Sequence, residues 1–210
     1  MSVEVAGVIL AGGLSSRMGG GDKGLLSLGG RSILDRVMAR FLPQVGPLAL
    51  NANGDLTRFS ALQHLILADT VTGFPGPLAG ILTGLEWAGT KTKAAMIATA
   101  AADTPFFPSD MVARLVAAID GHHEVIAVAR SSGRLHPTFA LWPVGLSEPL
   151  RHFLVEEGNR RVLSFIERHR FLEVDFPLQP LRSGTLDPFF NINTPADLVE
   201  AERILKELPA

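Results

Sequence analysis

Four short apolar runs, at residues 5–10, 48–50, 65–68 and 94–100, alternate with amphipathic stretches over the first half of the chain. The stretches between them have helical spacing. Ile33, Leu34, Val37, Met38 and Phe41 share one face over residues 32–41, which Pro43 ends. Leu78, Ile81, Leu82 and Leu85 do so in a helix opened at residues 75–77 and running to about 88. Met111, Val112, Leu115 and Val116 do so up to about residue 119, with Ser109 as the expected cap. Strand and helix in alternation imply a parallel sheet with helices on both faces. One further helix is expected over residues 55–62, with Asp55 as its N-cap.

Later the pattern changes. Residues 125–129 and 138–142 read as strands with no helix between them, which implies an antiparallel element. Helical stretches follow at 146–154 and 161–168, and residues 178–187 read as a loop. Thr194-Pro195-Ala-Asp197 supplies an N-cap, a Pro at the first helical position and an acid three residues after the cap. It opens a last helix to about residue 208. No linker-like segment divides the chain, so the expected fold is one three-layer α/β domain over residues 1–210, with a mostly parallel sheet.

Composition narrows the function classes. At 210 residues, with 47% hydrophobic and 19% charged residues, the chain is globular and not disordered. The absence of cysteine excludes disulfides and thiolate metal sites. A net charge of −2 with no basic run argues against a nucleic-acid surface. The apolar N-terminus is short and carries Glu4, so it reads as a first strand and not as a signal peptide. No apolar run approaches the ~20 residues of a membrane span. A soluble, cytoplasmic protein is expected, with neither a membrane nor a nucleic-acid partner.

In an open parallel sheet, ligands bind beyond the carboxyl ends of the strands. Ala11-Gly12-Gly13 follows the first run, Asn51 the second, Asp69 the third and Asp103 the fourth. These positions converge on one sheet edge. Gly12 and Gly13 let the backbone approach a ligand and aim N–H groups at anionic oxygens. Arg17 and Lys23 add two cations on the same loop, suited to a polyphosphate. The alternative is a surface loop with solvated charges. A P-loop is excluded, since no Gly-Lys pair occurs. Gly19-x-Gly21-x-x-Gly24 matches the dinucleotide pattern in letters only, because it lies well past the strand end and lacks the acid about 20 residues on.

Asp103 is the metal-ligand candidate: Mg²⁺ takes one or two carboxylates plus phosphate oxygens. Taken alone, it reads more readily as a cap of the turn at Thr104-Pro105. Asp69 and Asn51 have a turn-forming reading beside the binding one. Pro75-Gly-Pro-Leu-Ala-Gly80 is a rigid helix start whose N–H groups also suit an anion. His136-Pro137 begins a strand and reads as structural. His122 and His123 read as surface, and Trp87 and Trp142 as core. Arg160-Arg161 is a solvated helix start or a contact to an anionic second substrate.

Together these motifs resemble the MobA-type molybdenum cofactor guanylyltransferases, within the nucleotide-diphospho-sugar transferase-like fold. The resemblance rests on Leu10-Ala-Gly-Gly13, Arg17-Met-Gly19, Asp22-Lys-Gly24, Asn51-Ala-Asn53, the 75–80 motif, Asp103-Thr-Pro105, His136-Pro137 and Asn191-Ile-Asn-Thr-Pro195. It implies a Rossmann-like nucleotidyltransferase fold that binds GTP through Leu10, Ala11, Gly12, Gly13, Lys23, Asn51, Asp69, Asp103 and Asn191. Asp103 would also hold Mg²⁺. Arg17, Lys23, Asp103 and Asn193 would form the catalytic set, with Asn191 and Asn193 toward the pterin. The AGG form of the first turn favours guanine over the AAG of cytidylyl- and sugar-transferring relatives. Ala102 departs from the family, where Cys or another residue often precedes the metal Asp.

The reaction so implied is an in-line displacement. The terminal phosphate of molybdopterin, or of Mo-molybdopterin, attacks the GTP α-phosphate, and pyrophosphate leaves. Molybdenum-insertion proteins and molybdoenzyme apoproteins or their chaperones are the implied protein partners. Two alternatives remain open in the sequence: cytidylyl or sugar-phosphate nucleotidyl transfer on the same fold, and a non-catalytic nucleotide-binding partner protein.

Overall fold

The computed structural model describes residues 4–12, 23–73 and 76–208. In chain order the strands and helices are β1 (Val5–Leu10), β2 (Ser27–Leu28), β3 (Arg31–Ser32), α1 (Ile33–Phe41), β4 (Leu48–Asn51), β5 (Leu65–Leu67), α2 (Pro77–Lys91), β6 (Met96–Ala101), α3 (Met111–Ile119), β7 (Ile126–Ser131), β8 (Arg134–Pro143), α4 (Ser147–Val155), α5 (Val162–Ile166), β9 (Phe171–Asp175), β10 (Gln179–Leu181), β11 (Gly184–Leu186) and α6 (Pro195–Glu207). Seven strands form one sheet in the order β5-β4-β1-β6-β8-β7-β9. Only β8 runs against its neighbours; the β5-β4-β1-β6 and β7-β9 pairings are all parallel. The sheet is therefore mostly parallel with one antiparallel insertion, as the pattern of runs predicts.

The layers follow from the alternation of side chains along each strand. In β1, Val5 and Ile9 face one apolar cluster, while Ala6, Val8 and Leu10 face the other. The first cluster takes Leu34 and Phe41 of α1, Leu115 of α3 and Ile204 of α6. The second takes Leu78, Ile81 and Leu85 of α2, Leu150 of α4 and Phe165 of α5. Burial on both faces is why β1 and β6 read as continuous apolar runs. Among the described residues no helix is long and apolar enough to cross a membrane.

Local signals fix several helix ends. Ser32 accepts from the Asp35 N–H at 3.0 Å, and Asp35 accepts from the Ser32 N–H at 3.3 Å, closing a capping box at α1. Thr194 and Asp197 close the same box at α6. The α3 expectation requires correction. Asp110 is the N-cap and its side chain makes no capping bond. Gln44 acts from outside the helix instead: its Oε1 accepts from the Val112 N–H at 3.0 Å, and its Nε2 donates to Pro108 O at 3.1 Å. Residues 55–62 also differ. Asp55 does cap, accepting from the Thr57 N–H at 3.0 Å, but only a 3₁₀ turn over Leu56–Phe59 follows.

Several features were not read from the sequence, the short β2–β3 hairpin among them. Residues 178–187, expected as a loop, contain the β10–β11 hairpin. Strand β9 lies at the sheet edge with half-buried and exposed side chains, so it shows no apolar run. A further irregularity bears on the site. Ala129 of β7 pairs with His136, but the preceding Val128 pairs with Ala140, so β8 carries extra residues around Pro137. Proline has no N–H to give a ladder, and a bulge there re-aims the neighbouring side chains.

Candidate active site

Because β1, β4, β5 and β6 are parallel, the residues that follow them collect at one edge, where a cleft of about 250 Å³ opens. Leu10, Ala11, Gly12, Lys23, Asn51, Asp103 and Asn191 line it. Asp69 and Asn193 do not; each touches a residue that does. Gly13 and Arg17 lie outside the described residues. The lining also includes Leu34, Phe59, Gly76, Pro77 and Thr138. Leu34 and Phe59 carry apolar side chains with no sequence signal for a site. Thr138 belongs to the β8 bulge, which only strand pairing reveals.

At the β4 end, Asn51 is 2% exposed. Its Nδ2 donates to Asp69 Oδ1 at 2.8 Å and to Leu67 O at 3.2 Å. Asn53 Nδ2 donates to the other Asp69 oxygen at 2.8 Å, while Asn53 Oδ1 accepts from the Asp69 N–H at 2.8 Å. Asp69 thus orients two carboxamides and acts on the cleft through Asn51. The Asn51 oxygen lies against Gly80 in the first turns of α2, where a β-carbon would collide with it and with Leu10. Glycine at 80 is what allows the helix start and the Asn51 carboxamide to share this space.

At the β6 end, Asp103 is half-buried, and burial raises its pKa above the ordinary carboxylate range. The Thr104 hydroxyl, which donates to Asp103 Oδ1 at 3.1 Å, and the Lys23 charge act the other way. The Asp103 carbonyl accepts from the Ile192 N–H at 2.9 Å. Ile192 is fully buried, so its neighbours Asn191 and Asn193 are held at fixed positions beside the strand end. Lys23 Nζ donates to Asn193 Oδ1 at 2.7 Å, bridging residues 170 apart in sequence. The Asn193 N–H donates to Asp197 Oδ2 at 2.9 Å, so the acid of the α6 capping box also anchors this segment.

A second chain of bonds supports the same segment from β7 and β8. The Ser131 hydroxyl, 1% exposed, donates to Asp187 Oδ1 at 2.7 Å. Its oxygen lies 2.7 Å from His136 Nε2. With the serine proton committed to Asp187, the histidine nitrogen is the donor. Burial lowers the His136 pKa, against the pull of the Asp187 carboxylate. Asp187 Oδ1 also accepts from the Phe189 N–H at 2.9 Å, and the His136 ring stacks on Phe189 at 4.5 Å. His136 is thus bonded to Ser131 and stacked on Phe189, at the approach to Asn191.

The other residues weighed in the sequence fall as follows. His122 and His123 are exposed, and His122 lies 3.3 Å from Glu124. Trp142 is fully buried and donates to Thr99 Oγ1 at 3.0 Å, whereas Trp87 is half-buried. Arg160 donates to Gly73 O at 3.2 Å, tying the start of α5 to the loop before α2.

No group of three His, Asp or Glu side chains suited to a metal occurs among the described residues. The cleft instead offers one half-buried carboxylate, Asp103, beside the Lys23 ammonium. A lone hard oxygen donor fits Mg²⁺ that arrives with phosphate oxygens and water as its remaining ligands, and does not fit a metal caged by protein alone. Exposed backbone at Gly12 and the cation at Lys23 suit a polyphosphate; with its Nδ2 spent on Asp69 and Leu67, Asn51 offers a base its oxygen as an acceptor.

A protein-family model described as the MobA-like NTP transferase domain matches residues 7–171. A molybdenum cofactor guanylyltransferase of Mesorhizobium japonicum is 58% identical over 208 residues, 99% of each chain. One of Bradyrhizobium sp. is 49% identical over 204 residues, 97% of this chain and 94% of the relative. Among solved structures, molybdopterin-guanine dinucleotide biosynthesis protein A from Archaeoglobus fulgidus matches with a TM-score of 0.76 at 23% identity, over 97% of this chain and all of that one. The 4-diphosphocytidyl-2C-methyl-D-erythritol synthase of Anaerococcus prevotii matches with a TM-score of 0.73 at 12% identity, over 97% and 96%. These two structural likenesses are of fold.

Proposed function

The chain belongs to the MobA-like NTP transferase family, and on that footing we propose that this nucleotidyltransferase moves GMP from GTP to the terminal phosphate of molybdopterin. The observation that carries the reading is the meeting of Lys23, Asn51, Asp103 and Asn191 on one cleft. These residues come from separate parts of the chain and together match a base, a polyphosphate and an anionic acceptor. The 58% identity to a guanylyltransferase over nearly the whole chain supports guanine as the base. The whole 210-residue chain is taken as the catalytic unit.

A phosphate oxygen of molybdopterin forms the new bond to the α-phosphorus of GTP. The bond from that phosphorus to the bridging oxygen breaks, and pyrophosphate leaves with the electron pair. A phosphate monoester is already anionic at neutral pH, so no side chain has to remove a proton. Catalysis is then positioning and charge neutralisation. Asn51, oriented by Asp69 and backed by Gly80, holds the base. The backbone at Leu10, Ala11 and Gly12 lies along the phosphates, and the family resemblance adds Gly13, which is outside the described residues. Lys23, held by Asn193, stabilises charge growing on the leaving group, with Arg17 from the same loop. Asn191 and Asn193 face the acceptor. Asp103 would hold Mg²⁺, which supplies Lewis-acid neutralisation of phosphate charge when bound.

The test is one assay with GTP, Mg²⁺ and molybdopterin, followed for pyrophosphate and a guanine dinucleotide product. Preference for CTP or UTP in a nucleotide panel would overturn the guanine assignment. GTP binding without turnover would overturn the enzymatic one.

A further inference from the structure

A groove of about 610 Å³ lies apart from the cleft, between α1, the loop after β6 and the end of α6. Its polar lining is almost entirely cationic: Arg31, Arg36 and Arg40, with Ser109 and no acid. Phe106, Leu205 and Leu208 line it as well. No carboxylate pairs with any of these three arginines among the described residues. Arg36 spends its bonds on carbonyls, with Nε to Leu28 O at 2.7 Å and Nη2 to Gly29 O at 2.9 Å. Arg40 donates to Phe107 O at 3.1 Å. Of the acids on the same elements, Asp35 closes the α1 capping box, and Glu202 accepts from the N–H of Gly29, whose carbonyl Arg36 holds.

Arg36 and Arg40 are one turn apart on the same helix face, an arrangement that repels when both are cations. Partial burial of Arg40 adds a desolvation penalty, seen as a lowered pKa. Three arginines with no acid in the lining give the groove a positive charge that an anion would complement. Backbone spacing is compatible with an extended peptide. Four helical residues separate Arg36 from Arg40 by about 6 Å along the axis. Alternate residues of an extended peptide lie ~6.7 Å apart on one side, and the residues between them face the other way. Acidic residues of such a segment would meet the arginines, and its apolar residues would meet Phe106, Leu205 and Leu208, which share the groove with them.

We propose that this groove docks an extended acidic segment of a protein partner, with acidic and apolar residues in alternation. The proposal stands independently of the nucleotidyl-transfer reading. Its placement has a consequence for the site: Phe106 in the groove is three residues from Asp103 in the cleft, so a docked partner sits beside the place where product forms.

The experiment uses the full chain and a fluorescein-labelled peptide of alternating Glu and Leu, read by fluorescence anisotropy. Binding is expected to weaken as salt rises. A matching Lys-Leu peptide is not expected to bind. Arg31→Glu with Arg40→Glu should weaken binding about tenfold or more. Because Arg40 also holds the Phe107 carbonyl, Ala39→Glu serves as the second variant; it is exposed, keeps that bond, and should weaken binding similarly. Absence of Glu-Leu binding, equal binding of the two peptides, or unchanged affinity in both variants overturns the proposal. So does self-association of the chain that the same variants abolish, since the occupant is then a second copy.

Discussion

The two halves of the cleft are built differently. On the β1–β4–β6 side, each candidate residue stands at or just after the end of its own strand. Asn51 ends β4, and Asp103 follows β6 by two residues. Their positions come from the parallel sheet itself. On the other side, Asn191 and Asn193 sit on an irregular segment whose place is set by bonds to distant parts of the chain. Ile192 bonds to the Asp103 carbonyl, Lys23 to Asn193, and Ser131 to Asp187. The first half is supported by a cooperative sheet with a buried core. The second depends on individual hydrogen bonds, so single substitutions should separate the halves.

The largest effect is expected at Asp103. Asp103→Asn keeps the shape and should lower turnover about 10³-fold, the upper range for loss of one electrostatic stabiliser. Thermal unfolding should change little, because the charge is held against a burial penalty. Near-normal pyrophosphate release would remove Asp103 from the mechanism. Lys23→Ala should cost about 10²-fold in turnover. Lys23 joins the halves, so Asn193→Ala added to it should lower the rate far less than Asn193→Ala does alone. Additive losses would show that the 2.7 Å bond does not couple them.

Gly80→Ala tests the first half by packing. The added β-carbon meets Asn51 and Leu10, and overpacking of this kind destabilises by about 1–3 kcal/mol. A raised KM for GTP should accompany the lower Tm; unchanged values of both would disprove the close fit. Ser131→Ala tests the second half. It strips the buried partner of Asp187 and His136, with an expected loss of about 1–2 kcal/mol in chemical denaturation. KM for the acceptor should rise while KM for GTP holds. A change confined to GTP would reverse that assignment.

The smallest effect is at the α6 cap. The Asn193 N–H is the main cause holding the Asp197 carboxyl below its usual range, so its stabilisation is present above the unfolded pKa of about 4 and fades as pH falls through the lower folded value. Asp197→Asn should therefore be less stable than the parent by about 1 kcal/mol at neutral pH. The gap should close on acidification; a gap independent of pH would mean the carboxylate charge is not involved.

Legibility followed the same division. Apolar runs located the strands that carry Leu10, Asn51 and Asp103, because a strand buried on both faces has to be apolar throughout. The capping box at residues 194–197 was readable as a helix start, but not as the anchor of Asn193, since nothing local says that the Asp197 oxygen that closes the box also accepts from the Asn193 N–H. The expected Ser109 cap failed because Gln44, on another element, takes that role. Strand β9 and the β10–β11 hairpin escaped notice because edge strands need no apolar pattern.

By itself, then, the sequence determined the alternation of strand and helix, the order of candidate residues along one sheet edge and the resemblance that names a chemistry. Each depends on neighbours in the chain, and local patterning encodes those directly. Only the tertiary structure decided that Asp69 acts through Asn51, that a bulge turns Thr138 into the cleft, and that Lys23 meets Asn193. Those outcomes depend on hydrogen bonds between residues far apart in sequence, whose partners are chosen by packing and not by spacing.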